Sequence, residues 1–372
     1  MALGKVSVNN LNLSQGAVTA IERHFLFIGP GAKSIGQLIP LNTDSDLDVM
    51  LGIPPSDLKT QIIAARLNGG DRWACVAAPI AADGNWQDAL TVSQQQGHSF
   101  ESVVITTPVT NAAELSAMHD AAIALGNTYG RRVFVMAASV GITAEDQAWS
   151  EYTAAQKALV LGLAAPRVLC VPQLHGNDLG VLAGRLANAA VSVADSPMRV
   201  ATGPVLGLGP VPIDSEGVPL PSAVRAELDT ARLSVTQTYT DYPGVYWGDG
   251  NMLDVPASDY QVVEYLRIAD KAARLVRPLL IARVADRRLN NSANSMAVNN
   301  NALMAPLRAM AKSTTFAGQV FPGEIEQPKD GDIVLTWKSK TAVEAFIKVK
   351  PLNCPKDLTA NIALDLSNDA TE

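Results

Sequence analysis

RRVFVMAAS (131–139) is a short apolar run that predicts a buried strand, and similar runs stand on either side of it in FESVVITTP (100–108) and RVLCVPQL (167–174). Three longer segments with the patterning of helices separate or follow these runs: residues 111–130, 143–163 and 177–195. Strands that alternate with helices indicate βαβ units and a mostly parallel sheet. The centre of the chain is therefore predicted to be an α/β domain.

The residues before this centre are predicted to be rich in strand. Three apolar runs there predict strands: HFLFIG (24–29), QLIPLN (37–42) and RWACVAAP (72–79). A short helix is predicted to end near Gly52, and a second helix follows Asp57 and ends at Gly69. Together with the centre, this region is predicted to form one domain over residues 21–222.

A second domain is predicted over residues 223–358, after a linker rich in Gly and Pro at residues 203–222. It opens with irregular chain that contains one β stretch at residues 233–241. Its other predicted elements are two helices and two strands: helices 258–277 and 301–313, and strands 332–338 and 343–350. Pro278 is expected to kink or end the first of these helices.

Both ends of the chain have the pattern of a single short strand, which predicts arms at residues 1–20 and 359–372. Apolar residues alternate with polar ones in each arm: Val6, Val8, Leu11 and Leu13 in the first, and Ile362, Leu364 and Leu366 in the second. A lone strand leaves N–H and C=O groups unpaired and is stable only when it is paired. The arms are therefore predicted either to pair within their own chain or to add a strand to a neighbouring subunit.

The composition argues against several classes of protein. Only 17% of residues are charged and 48% are hydrophobic, which fits either burial against other subunits or an Ala-rich chain with a mild surface. A net charge of −7 argues against a nucleic-acid-binding protein. Residues 1–12 lack the apolar core of a signal peptide and no run of about 18 apolar residues occurs, so a cytoplasmic protein without membrane insertion is expected. The three cysteines, whose spacing fits neither a metal site nor a disulfide framework, are expected to be reduced thiols.

No catalytic, cofactor-binding or metal site is predicted. The loop GPGAKSIG (29–36) is rich in glycine, but Ala32 precedes Lys33 where a phosphate-binding loop needs glycine. The four histidines are scattered and show no metal-ligand spacing. Cys170 and His175 could form a nucleophile and base, although a cysteine inside an apolar strand is more often an inert thiol. An α/β enzyme whose site is not visible in the sequence remains the alternative interpretation.

The predicted helix 258–277 carries a basic stripe on one side. At 100° per residue its basic residues fall within a narrow arc: Arg267, Lys271 and Arg274, with Arg277 close by. Apolar residues share the opposite side, so the helix is amphipathic. The stripe is either a solvated face or a docking face for an acidic partner.

Four segments, in order along the chain, resemble contractile tail sheath proteins of phages, R-type pyocins and related injection machines. They are FLFIGPGAKSIGQLIPLNTDSDLDVMLG (25–52), AARLNGGDRWACVAAP (64–79), DLGVLAGRLANAAVSVADSPMRVATGPVLGLG (178–209) and VYWGDGNMLDVPASDYQVVEYLRIADKAARLVRP (245–278). The strand-rich tail from Gly331 onward is similar too. Departures from the family pattern include WGDGN (247–251), where the family usually has Arg-Thr.

The resemblance implies a mixed α/β fold, with an outer α/β domain, an inner C-terminal α+β domain and extended arms. It implies that residues 5–13 and 361–366 are strands donated to neighbours. The accepting strands would be residues 332–338 and 343–350, with Val334, Leu335, Phe346 and Ile347 at the junction. The basic helix would face a tail tube.

The same resemblance implies a virion protein, assembled in the host cytoplasm, that needs no cofactor. Its partners would be further copies of itself, the tail tube protein, and the baseplate and tail terminator proteins. Two packings of one sequence would allow such a polymer to contract. Another tail or capsid building block is the further alternative.

Overall fold

The computed structural model of the chain describes residues 21–144, 146–316 and 318–364. The strands of the described residues are β1 Phe25–Pro30, β2 Ile39–Asn42, β3 Ala74–Ile80, β4 Ser102–Val109, β5 Phe134–Ser139, β6 Ala165–Pro172, β7 Thr236–Tyr239, β8 Tyr242–Trp247, β9 Met252–Leu253, β10 Thr314–Phe316, β11 Gln319–Phe321, β12 Ile333–Ser339 and β13 Ala342–Ile347. The α-helices are α1 Leu47–Leu51, α2 Asp57–Gly69, α3 Trp86–Gln95, α4 Ala112–Tyr129, α5 Trp149–Val160, α6 Asp178–Ala187, α7 Ser222–Thr230, α8 Val263–Ile281 and α9 Ala293–Met310.

A seven-stranded sheet with the order β2-β3-β1-β4-β5-β6-β9 organises the larger part of the molecule. The five inner strands are parallel, and an antiparallel strand closes each edge. The inner strands are almost continuously apolar because helices cover both faces of the sheet. This arrangement confirms the predicted mixed α/β fold with a mostly parallel sheet.

Each face of the sheet has its own apolar core. Helices α3, α4, α5 and α7 contribute Leu90, Leu115, Trp149 and Leu228 to the core on one face. Helices α1, α2, α6 and the first turn of α8 cover the other face. The start of α8 thus belongs to the core of the large sheet.

Helices α2 and α6 approach each other closely because two glycines of α6 face the α2 backbone. A Cβ atom on Gly180 would lie 2.1 Å from the Gln61 carbonyl oxygen, and one on Gly184 would lie 2.2 Å from that of Ala65. Only a residue without a side chain fits at this distance. The Gln61 side chain strengthens the contact, because its Oε1 accepts from the Gly180 N–H at 2.6 Å.

A third core holds the rest of the chain together. It lies between α8, α9 and the β12–β13 hairpin and includes Ile268, Val276, Leu307 and Leu335. Helix α8 therefore belongs to two cores, since its first turn packs on the large sheet and its remainder packs in the smaller unit.

The predicted strands and helices of the central region are present, and two of its helices are shorter than predicted. Helix α5 begins at Trp149 instead of residue 143, because the Asp214 carboxylate, from a distant loop, accepts from the Trp149 N–H. Helix α6 ends at Ala187 instead of residue 195, since the Asn188 side chain accepts from the Ala190 N–H in a local turn. Pro278 lies inside α8, which continues to Ile281.

Residues 223–253 lie with the large sheet, whereas the sequence placed them with the second domain. Helix α7 adds Leu228 to the core on one face, and β9 pairs with β6 at the sheet edge. The predicted strand at residues 361–366 is not formed over residues 361–364, which have no regular structure. Residues 1–20 and 365–372 lie outside the described residues, so the predicted strand positions Val6, Val8, Leu11, Leu13 and Leu366 do too.

Candidate assembly interface

The β12–β13 hairpin is a two-stranded antiparallel sheet with one apolar side turned inward. Leu335 is 3% exposed and Ile347 is partly buried, and both contribute to the third core. Val334 and Phe346 stand opposite each other in the register, on the outer side of the hairpin. They are 44% and 65% exposed, which leaves an apolar pair open to solvent.

The outer edge of β13 has unpaired backbone groups. The Lys348 N–H donates to the Asp332 carbonyl oxygen at 2.8 Å, which makes these two residues a hydrogen-bonded pair of the antiparallel ladder. Because such pairs alternate along the ladder, the N–H and C=O groups of Ala345 and Ile347 point away from β12. Within the described part of the chain, β13 pairs with β12 alone. The edge of β13 is thus available for a further strand.

A groove of about 830 Å³ lies between this edge and α8. Ile268, Ala269 and Ala272 of α8 form its apolar wall. Phe346 and Ile347 stand on the β13 side, and the charged lining residues are Arg132, Lys348, Lys350 and Asp259. Lys350 also pairs with Glu326 at 2.7 Å. The groove therefore combines an open strand edge, an apolar wall and a small excess of basic residues.

The predicted basic stripe of α8 is not an exposed face, and that interpretation is wrong for Arg267. Its side chain is 1% exposed and pairs with Glu101, with Nε 2.7 Å from Oε1 and one guanidinium nitrogen 2.9 Å from Oε2. Burial by itself raises the pKa of Glu101, but the charge and hydrogen bonds of Arg267 outweigh it and lower that pKa below its usual range. Arg267 is thus half of a buried ion pair.

Two more residues of the stripe are also engaged inside the molecule. Lys271 Nζ lies 2.6 Å from Glu324, and the Arg274 guanidinium lies 2.9 Å from Glu22. Arg277 alone of the four is exposed. The stripe therefore mainly fixes α8 to its own protein.

Helix α8 is attached along the amino-terminal ends of the parallel strands. Glu22 precedes β1 and Glu101 precedes β4, while Arg167 lies near the start of β6. Arg167 pairs with Asp270 through two hydrogen bonds of 2.8 and 2.9 Å. Three ion pairs thus connect one helix to three strands.

Residues 352–364, which lead into the predicted C-terminal arm (359–372) and include its start, are exposed. Leu358, Ile362 and Leu364 are large apolar residues of this segment, and Ile362 is 95% exposed. One side chain anchors the arm, because Lys356 pairs with Asp249 and Glu264. The arm therefore presents an apolar segment that its own subunit leaves uncovered.

The residues considered for catalysis have structural partners. The Lys33 ammonium donates to the Val49 carbonyl oxygen, which ties the glycine-rich loop to α1. Burial raises the pKa of the Cys170 thiol to about 12, so it is a poor nucleophile. His175 is buried against Asp178 at 2.7 Å rather than against Cys170.

The described residues provide neither a metal site nor a membrane-spanning helix. They contain no group of three or more His, Cys, Asp or Glu side chains arranged to hold a metal ion. None of their helices has the length and hydropathy needed to cross a membrane.

Sequence reasoning missed Glu101, Lys356 and Glu264. Glu101 carried a signal, because an acidic residue stands directly before an apolar strand in FESVV (100–104). Lys356 and Glu264 carried none, since they are 92 positions apart and meet only in the folded chain.

Comparisons with known proteins agree with this architecture. Solved structures with the same fold include the sheath complex of an extracellular contractile injection system (PVC) in its contracted state, with a TM-score of 0.63, 14% identity and 98% of each chain covered. A sheath tail protein from Desulfitobacterium hafniense has a TM-score of 0.56 and 11% identity, with 93% of this chain and 96% of that chain covered. The chain thus has the fold of contractile sheath subunits.

The sequence itself gives the family. Residues 3–251 match the DUF2586 N-terminal domain and residues 259–367 match the DUF2586 C-terminal domain. A protein of Haemophilus phage HP1 that carries the name of a tail sheath protein is 42% identical over 369 residues, which covers 98% of both chains. The chain belongs to the DUF2586 family of phage tail sheath proteins.

Proposed function

We propose that this protein is the structural subunit of a contractile tail sheath, without enzymatic activity, that polymerises into stacked rings around a tail tube. The observation that carries the proposal is the open edge of β13, with its groove of about 830 Å³ beside α8. An unpaired strand edge beside an apolar wall fits a strand added by another chain. The exposed apolar arm supplies such a strand.

The arms are the proposed donors, and the hairpin is the proposed acceptor. Residues 5–13 and 361–366 of one subunit would add to residues 343–350 and 332–338 of its neighbours. The rim of the groove carries Arg132, Lys348 and Lys350, while the C-terminal arm carries Asp365, Asp369 and Glu372. This charge complementarity favours the C-terminal arm as the strand beside β13.

The contact with the tail tube is proposed for the basic residues that remain accessible near the end of α8. Arg277, Arg287 and Arg288 are exposed and lie close together in the sequence. They could contact an acidic tube surface, whereas Arg267 could not. Baseplate and tail terminator proteins would bind the two ends of the polymer, which is assembled in the host cytoplasm and becomes part of the virion.

Contraction would keep the exchanged strands paired while the subunits rotate. A head-to-tail contact that does not close gives a helical polymer. Strand pairing between chains persists while the connecting segments allow subunits to rotate, so the polymer can change pitch without dissociating. The driving force would be the lower free energy of the contracted packing.

Deleting residues 1–13 tests the donated strand. The variant should keep its fold, measured by circular dichroism and thermal unfolding, and should form no tubes in negative-stain images. Long tubes from this variant would contradict the role of the N-terminal arm.

The variant Ala345→Pro tests the accepting edge. Proline removes an N–H that points away from β12, so the hairpin keeps its ladder while the added strand loses a partner. Fewer tubes are expected at equal protein concentration. The matched control is Lys340→Ala at the exposed hairpin turn, which should assemble like the unmodified protein. If both variants assembled equally well, the β13 edge would not be the acceptor.

A further inference from the structure

Lys356 is held between two carboxylates at the root of the C-terminal arm. Its Nζ lies 2.7 and 2.8 Å from the two carboxylate oxygens of Asp249 and 2.6 Å from Glu264 Oε1. The Glu264 side chain is 2% exposed, so the ammonium group reaches a carboxylate that is closed to solvent. The rest of the exposed segment 352–364 has no comparable anchor among the described contacts.

Both carboxylates belong to well-fixed parts of the fold. Glu264 is the second residue of α8, and Asp249 lies in the turn between β8 and β9. Asp249 Oδ1 also accepts from the Gly250 N–H at 2.9 Å and from the Ser196 hydroxyl at 3.3 Å. The anchor point therefore does not move with the arm.

Releasing Lys356 would leave the buried Glu264 carboxyl without its cation. Burial raises the pKa of Glu264 above its usual range, and Lys356 opposes that shift while Asp249 adds to it. Without Lys356, Glu264 would have to stay charged and unpaired beside Asp249 or take up a proton, and either change costs free energy. Removing one partner of a buried ion pair is strongly destabilising. The bound position of the arm root is thus favoured by the charges around it.

The anchor also sets the point from which the arm leaves. Residues 350–352 run beside residues 324–326, and the chain then reaches the amino-terminal end of α8. Asn353 still lines the groove. Lys356 therefore pins the chain just after it leaves the lining of the groove.

We propose that Lys356 is a latch that fixes where the C-terminal arm departs, so that only residues 357–372 are free for exchange with a neighbour. The latch fixes the starting point and the length of the segment that can reach a second copy of the chain. A free segment of 16 residues spans at most about 55 Å when fully extended. This proposal rests on the exchange of arms proposed above.

Cys354 provides a probe two residues from the latch. It is the exposed cysteine of the three, while Cys75 and Cys170 are buried, so a nitroxide label attaches at one place. The full chain is labelled and measured below the concentration at which tubes form. The unmodified protein should give the spectrum of a restricted label.

The test compares Lys356→Met with Lys356→Arg. Methionine keeps roughly the length of the side chain without its charge, so the label should become mobile. The critical concentration for tube formation should rise about tenfold, a ratio that corresponds to about 1.4 kcal/mol. Arginine should preserve both properties. A label that stays restricted in Lys356→Met would overturn the latch, and so would a mobile label with unchanged assembly.

Two further variants separate a failed latch from a failed fold or a failed exchange. If Lys356→Met unfolds, Lys356→Met with Glu264→Gln removes the unpaired buried charge and is measured in the same way. Deleting residues 357–372 keeps Lys356 and should keep the label restricted while tubes are lost. Tubes formed normally by this deletion would refute arm exchange, whereas the label would still report on the latch.

Discussion

Arg267 and Glu101 form the most deeply buried ion pair among the described residues, and its loss should be costly. Replacing Arg267 by Met leaves Glu101 buried without its cation, so the free energy of unfolding should fall by about 3–5 kcal/mol. Urea unfolding followed by circular dichroism measures the change. Arg287→Met is the matched control because Arg287 is exposed, and its effect should stay within about 0.5 kcal/mol.

The same pair gives a pH dependence with a defined sign. Glu101 has a pKa below its usual value of 4.5 in the folded protein, so the unfolded chain binds the proton more readily. Its contribution to stability is therefore complete above about pH 4.5 and is lost as the pH falls through the folded pKa. In Arg267→Met this contribution should be absent over the same range. Equal acid sensitivity of both proteins would show that the pair does not control it.

His24 predicts a second pH effect, over a higher range. Its ring stacks on Phe100 at 5.4 Å, and burial, with a smaller effect of His98, lowers the pKa of His24 to about 4. The unfolded chain therefore binds a proton on His24 between pH 6.5 and about 4 while the folded chain does not, so stability falls as the pH is lowered through this range. In His24→Phe, the midpoint of urea unfolding should depend less on pH between pH 6.5 and 4. If the midpoint depended on pH as steeply as in the unmodified protein, the effect would belong to other groups.

At the scale of elements, the close packing of α6 on α2 depends on glycine. Gly184→Ala places a Cβ against the Ala65 backbone, which can yield only by a shift of a helix, so the free energy of unfolding should fall by about 1–3 kcal/mol. The control is Gly126→Ala in α4, where the nearest atom lies 3.8 Å away. Because alanine is the better helix former, this control should be neutral or stabilising by up to about 1 kcal/mol. Thermal and urea unfolding measure both variants. If Gly184→Ala were as stable as the unmodified protein, the close contact between α6 and α2 would be disproved.

Elements with a strong local pattern could be predicted from the sequence. The inner strands β1, β3, β4, β5 and β6 are apolar runs, and their order of alternation with helices was enough to predict a parallel sheet. Strand β9 has two residues and no periodicity of its own, so its pairing with β6 could not be predicted. That pairing places residues 223–253 with the large sheet.

The interface could be predicted only in part. The strands at residues 332–338 and 343–350 were predicted, and the pairing of Val334 with Phe346 in the folded hairpin puts both on one side. The burial of Arg267 could not be predicted, because its partner Glu101 is 166 positions away in the sequence. A helical wheel shows on which side of a helix a residue lies, but not which residues pack against that side.

At the scale of the whole molecule, the proposed exchange of arms requires every subunit both to give and to receive a strand. Subunits that lack residues 357–372 keep the accepting hairpin but donate no C-terminal strand, so they should terminate growth where they join. Adding them at about one-tenth of the total protein should shorten the tubes seen in negative-stain images. The same deletion combined with Ala345→Pro should shorten them less, because it also accepts poorly. Tube lengths that ignore both additions would argue against exchange through the C-terminal arm.

The position of α8 across the starts of three strands has a mechanical consequence. A force on the unit formed by α8, α9 and the β12–β13 hairpin reaches the large sheet through Glu22, Glu101 and Arg167 together, since each pairs with a different residue along α8. Because these ion pairs lie side by side, they share the force, and no single pair bears it alone. Tension on a subunit would then rotate it as a unit, without separating α8 from the sheet.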